Sequence, residues 1–145
     1  MSNVNEEKIL NMKEGDILNQ LLTGEEELPT ATVIMDRLKI KLELKGLTEK
    51  EISKIKKECT TREKVKGKGW QKKLDDNEFD AGLIVGATTN INWNDPKLLE
   101  SKNVSDGKQY ISRKLLAGEI TNLVNKILDL SGFNDEIEDA EDIKN

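Results

Sequence analysis

Residues 37–52 read RLKIKLELKGLTEKEI, and the change of period inside this stretch decides the fold. Leu38, Ile40, Leu42 and Leu44 share one face, and Lys39, Lys41, Glu43 and Lys45 share the other. Such alternation is the pattern of a half-buried strand. A few residues on, Thr48 and Glu51 form the T-x-x-E pair of a capping box. Leu47 precedes the cap and Ile52 stands at the fourth helical position, the spacing of a hydrophobic staple. Ile52, Ile55 and Cys59 then fall on one helical stripe. Cys59 on that stripe reads as a small buried hydrophobe rather than a reactive thiol.

Upstream, ATVIM (31–35) is rich in β-branched residues and reads as a strand. With Asp36-Arg37 as a tight turn it makes a β-hairpin over 31–45. A lone hairpin is marginal in water, so the oily face of Leu38, Ile40, Leu42 and Leu44 needs cover. The helix from Thr48 supplies part of it. A short N-terminal helix from about Asp16 could add Leu18, Leu21 and Leu22, so most of the cover is expected from within the chain, with the hairpin edge and adjacent helices left for a client or a second copy.

Downstream, TTREKVKGKGWQKK (60–73) has no apolar period and reads as a flexible basic loop. From Lys54 to Lys73 nine bases face Glu58 and Glu63, a local net of +7. Asp75 caps the next helix, whose apolar stripe is Phe79, Leu83, Ile84 and Ala87. Gly82 and Gly86 let another helix approach it closely, more readily from this chain than from a second copy. Asp95 and Pro96 open a further helical turn. Ser105 is placed to cap a helix through about Leu116, with Ile111 and Leu115 inward, before LAGE interrupts. Ile120, Leu123, Val124, Ile127 and Leu128 define a final amphipathic helix. Gly132 and Phe133 are placed to end it in a Schellman motif. NDEIEDAEDIKN (134–145) carries six acids and one base, has no core face, and reads as a soft acidic tail. It serves solubility or competes for the basic loop.

Composition narrows the function. The chain has 145 residues, one domain's length, with hydrophobic and charged residues each 35%. The five aromatics are Trp70, Phe79, Trp93, Tyr110 and Phe133, so Leu and Ile must fill a lean core. A net charge of −5 opposes general nucleic-acid binding. No apolar run is long enough for a membrane span, and MSNVNEEKIL lacks the features of a secretory signal. A single cysteine allows no internal disulfide, and the absence of histidine removes Ser/His and Cys/His nucleophile systems. No phosphate-binding glycine motif occurs. The reading is therefore no catalytic, metal or cofactor residues. The basic loop with Trp70 has a cationic track and a stacking ring, the parts of a single-strand binder. A solvated loop or a protein contact fits it better, because the rest of the chain repels phosphate.

Taken in order, LKIKLELKGLTEKEI, KVKGKGWQKK, DDNEFDAGLIVGA, DPKLLES, LLAGEITNLVNKILDLSGF and the acidic end resemble the XkdN-like phage tail assembly chaperones over about 30–135. Ala117 departs from that pattern, which often carries Pro before Gly-Glu. The resemblance implies a non-catalytic protein of the host bacterial cytoplasm, made during phage or prophage morphogenesis and absent from the mature virion. It would keep the tape-measure protein soluble, with the tail-tube protein and self-association as further expectations. A tail-completion or structural component is the alternative, and a small nucleic-acid binder a more distant one.

The expected architecture is α+β and mainly α, an N-terminal β-hairpin followed by a bundle of about four to five helices. The expected layout is a short helix and linker over 1–30, a globular domain over 31–133 and an acidic tail over 134–145. The candidate partner-binding residues are Leu38, Ile40, Leu42, Leu44, Phe79 and Leu83, with Lys64, Lys66, Lys68 and Trp70 on the basic loop.

Overall fold

A computed structural model describes residues 4–24, 27–135, 137 and 139–141. Part of the expected linker (25–26) and much of the expected acidic tail (136, 138 and 142–145) lie outside the described residues. The chain divides into two units, Leu28–Asn134 and the chain ends Met1–Glu27 with Asp135–Asn145. The ends hold α1 (Val4–Leu10) and α2 (Glu14–Thr23). Helix α2 buries none of its residues, and Leu18, Leu21 and Leu22 are exposed.

The larger unit opens with β1 (Thr30–Met35) and β2 (Ile40–Lys45), paired antiparallel with Met35 opposite Ile40 and Ala31 opposite Leu44. This register makes residues 36–39 a four-residue turn, where a tight turn at Asp36-Arg37 was expected. Lys39 takes a left-handed φ of 57° there. Leu38 therefore leaves the strand and packs half-buried against the core from the turn. The apolar alternation runs one residue pair further than the ladder does.

The capping box forms as spelled. Glu51's amide donates to the Thr48 hydroxyl at 3.2 Å and Thr48's amide donates to the Glu51 carboxylate at 3.2 Å, opening α3 (Glu49–Glu58). Gly46, just before, has no room for a side chain, since a Cβ there would run into the Leu130 carbonyl. Leu47's amide donates to the Ser131 hydroxyl at 2.8 Å, tying the strand-to-helix junction to the far end of the unit.

Residues 60–73, expected as a loop, form a second antiparallel hairpin, β3 (Thr60–Val65) and β4 (Gly69–Leu74). It is invisible to apolar patterning because both of its faces meet solvent. Its signal is at the tip: Gly67 and Gly69 take φ of 82° and 71°, values that glycine adopts without strain. The fold is thus α+β and mainly helical, with two hairpins rather than one N-terminal hairpin.

Helices α4 (Asp76–Ala87), α5 (Pro96–Lys102), α6 (Gly107–Lys114) and α7 (Ala117–Leu130) complete the unit. Asp106, rather than Ser105, caps α6 through the Gln109 amide. LAGE does not merely interrupt: Ala117 is the first residue of α7, and the Glu119 carboxylate accepts from the Leu116 amide at 2.8 Å. The Schellman motif at 132–133 is present, Phe133's amide donating to Leu128's carbonyl and Gly132's to Asp129's. The Phe133 ring stays exposed.

Helix α4 is the centre, packed on α3, α6 and α7. Gly82 and Gly86 admit Ile55 of α3: a Cβ at Gly82 would stand 2.7 Å from its Cγ2. Their close approach is made within the chain. Leu42, Leu44, Leu83, Ile84, Ile111 and Ile127 form the innermost layer.

Candidate protein-binding surfaces

The expected surface residues separate on burial. Leu42, Leu44 and Leu83 are each 1% exposed, which corrects their candidacy as contact residues: they are core. Leu38 and Phe79 are half-buried and packed against the core, and Ile40 is 38% exposed at the open end of the sheet. Lys64, Lys66, Lys68 and Trp70 are exposed on the second hairpin.

The two edges of the first hairpin differ. Along β2 the edge is closed by the segment after α4. Thr89's amide donates to the Glu43 carbonyl at 2.8 Å. The Asn90 side chain accepts from the Glu43 amide at 3.0 Å and donates to the Lys41 carbonyl at 3.1 Å. Along β1 no strand among the described residues pairs with the outer edge. Strand β1 is TATVIM, with neither charge nor proline, two of the devices that blunt an edge. Ile34, on the outer face opposite Lys41, is 76% exposed.

A groove of about 240 Å³ runs beside that edge, lined by Val33, Ile34, Met35 and Leu123 with Asp36 and Lys126 at its rim. Arg37 reaches from the turn to Glu119 of α7, with Nη2 2.6 Å from Oε1, and so fixes one end of the groove. The Arg37 guanidinium holds the Glu119 carboxyl below its ordinary range, and the Leu116 amide adds to this. Sequence reasoning missed Ile34 as a surface residue. The signal was there, since Val33 and Met35 point inward once the register is known, and Ile34 must then point out.

The second hairpin carries most of the local positive charge. Its register places Arg62 opposite Lys72 and Lys64 opposite Trp70, all on one face. The Arg62 guanidinium lies 5.6 Å from the centroid of the Trp70 ring. On the other face Lys73 pairs with Glu63 at 3.9 Å.

A polar cleft of about 390 Å³ between α4 and α6 is occupied by structural duties. Asp75 and Asp106 cap helices through the Glu78 and Gln109 amides. Glu78 accepts from Lys108 Nζ at 2.9 Å, which raises the lysine's pKa. Burial pushes the Asp80 carboxyl up, and the Asp76 charge adds to this. Among the described residues, no group of three or more His, Cys, Asp or Glu side chains is placed to hold a metal ion. No helix among them is long and apolar enough to cross a membrane.

Comparison with known proteins gives a consistent set of relatives. The family model described as phage XkdN-like tail assembly chaperone protein matches residues 18–144. The chain is 35% identical over 99 residues to the uncharacterized protein YqbN of Bacillus subtilis (strain 168), covering 68% of this chain and 66% of that one. It is 34% identical over 100 residues to the phage-like element PBSX protein XkdN of the same organism, covering 68% of each. A crystal structure of YqbN superposes with a TM-score of 0.58 at 22% identity, over 79% of this chain and 95% of the other, which shows a shared fold.

Proposed function

We propose, from the premise that this chain belongs to the phage XkdN-like tail assembly chaperone family, that it binds the tape-measure protein and keeps it soluble while a tail is assembled. The family is non-catalytic, and membership implies tail proteins as partners. The observation that carries the finer reading is the open, uncharged edge of β1 with exposed Ile34 beside the apolar groove. A client segment laid along β1 would satisfy the free backbone groups of the edge, and its alternate side chains would enter the groove. The charged rim of Asp36, Lys126 and the Arg37–Glu119 pair would keep the complex in solution. The setting is the host bacterial cytoplasm, and the protein leaves before the virion is complete.

The test is affinity capture. A tagged chain, expressed with the tape-measure protein encoded beside it, should co-purify with that protein and be missing from purified tails. Stoichiometric presence in purified tails, with no capture of the tape-measure protein, would replace this reading by that of a structural component. A homodimer dissolved by Ile34→Asp, with tape-measure capture unchanged, would reassign the edge to a second copy.

A further inference from the structure

We propose that the groove between α3 and the basic face of the second hairpin is a binding site for an acidic peptide segment of a protein partner. The groove has a volume of about 590 Å³ and is lined by Ser53, Lys56 and Lys57 from α3 and by Thr60, Arg62, Lys72 and Leu74 from the hairpin. Four of these seven side chains are cationic. Arg62 and Lys72 stand directly opposite each other in the ladder, an arrangement in which like charges destabilise a sheet. Among the described residues, none of Lys56, Lys57, Arg62 and Lys72 has a carboxylate within the 4.0 Å of an ion pair. The nearby acids point elsewhere. Glu63 is on the far face with Lys73, and Glu58 lines the opposite flank of α3 toward Gly82 and Gly86. Folding thus gathers four positive groups around one groove, with no carboxylate among the described residues paired to any of them.

The chemistry of that anion follows from the walls. Leu74 and the lysine stems give an apolar floor under the charged rim, which suits a segment alternating acidic and apolar side chains. Arg62 lies over the Trp70 ring, and its planar fork suits a carboxylate. Trp70 is 62% exposed, and Trp93 is buried in the core. A single-stranded nucleic acid draws on successive stacked bases, and the hairpin offers one ring. An acidic peptide is therefore the better fit. The site uses no residue of the β1 groove, so its failure would leave the chaperone reading untouched.

The experiment is fluorescence anisotropy on the full chain with three labelled probes: a peptide alternating Glu and Leu, its Gln counterpart, and an oligo-dT of equal length. At about 50 mM salt the acidic peptide should bind at least about ten-fold tighter than the Gln peptide. Raising salt to about 200 mM should weaken the acidic peptide. Arg62→Gln with Lys72→Gln should lower its affinity about ten-fold while the melting temperature holds or rises, because a cross-strand repulsion has been removed. A purely structural role for these side chains would instead lower the melting temperature. Equal binding of the Glu and Gln peptides, or unchanged affinity in the double variant, overturns the proposal. Tighter binding of oligo-dT than of the acidic peptide also overturns it, in favour of a nucleic-acid site.

Discussion

At Thr48 a single hydroxyl fixes where the first hairpin ends and α3 begins. Replacing it with Ala should cost about 1 kcal/mol of unfolding free energy, read as a shift of the urea midpoint without a change of slope. Its partner Glu51 adds a pH signature. The Glu51 carboxyl lies below its ordinary value of 4.5, first because the Thr48 amide donates to it and also because Lys45 does. A depressed carboxylate stabilises the fold above its ordinary pKa, and the contribution is lost as pH falls through the folded value. Glu51→Gln should therefore flatten the loss of stability as pH falls below the ordinary carboxyl value of 4.5, and an unchanged acid limb would contradict the capping geometry. This junction was legible because a cap is local: T-x-x-E with Leu47 and Ile52 carries its own geometry within six residues. Gly46 was not legible, because what forbids a side chain there is the Leu130 carbonyl, more than eighty positions away.

Among the elements, α3 and α4 pack through two glycines that are not equivalent. At Gly82 an added methyl would meet Ile55 Cγ2 at 2.7 Å, on a branched carbon that follows its own helix. At Gly86 it would meet the flexible Cδ1 at 3.1 Å. Alanine gains about 1 kcal/mol of helix propensity at either site, whereas overpacking costs about 1–3 kcal/mol. Gly82→Ala should thus be net destabilising and Gly86→Ala neutral or stabilising, measured by chemical denaturation. Equal effects would contradict the packing. The second hairpin is the opposite kind of element. Only Thr60, Val65 and Leu74 are even half-buried, and a two-stranded ribbon is marginal alone. Its amides between Arg62 and Lys72 should exchange with solvent faster than those of α4, as recorded by hydrogen exchange. Protection equal to α4 would contradict an unsupported arm. Period-two reasoning found β2, which buries one face, and missed β3 and β4, which bury neither. The surviving cue was the pair of glycines at the tip.

For the whole molecule, sequence reasoning set the core stripes of α4, α6 and α7 correctly and placed the hairpin at their start. It could not choose among the apolar residues which were core and which surface, because that depends on register and on what closes each edge. Leu42, Leu44 and Leu83 went inward, and the proposed client surface rests on exposed Ile34 of β1. Ile34 is exposed, so Ile34→Asp should change folding stability by no more than about 0.5 kcal/mol, while placing a charge on the edge and in the groove. The decisive measurement is the soluble fraction of the tape-measure protein, expressed alone, with the wild-type chain and with the Ile34→Asp chain. The wild-type chain should raise that fraction and the variant should return it toward the level without partner, with both chains equally folded and equally abundant. A tape-measure protein that stays as soluble with Ile34→Asp as with the wild-type chain would contradict the assignment of the β1 edge as the client-binding surface.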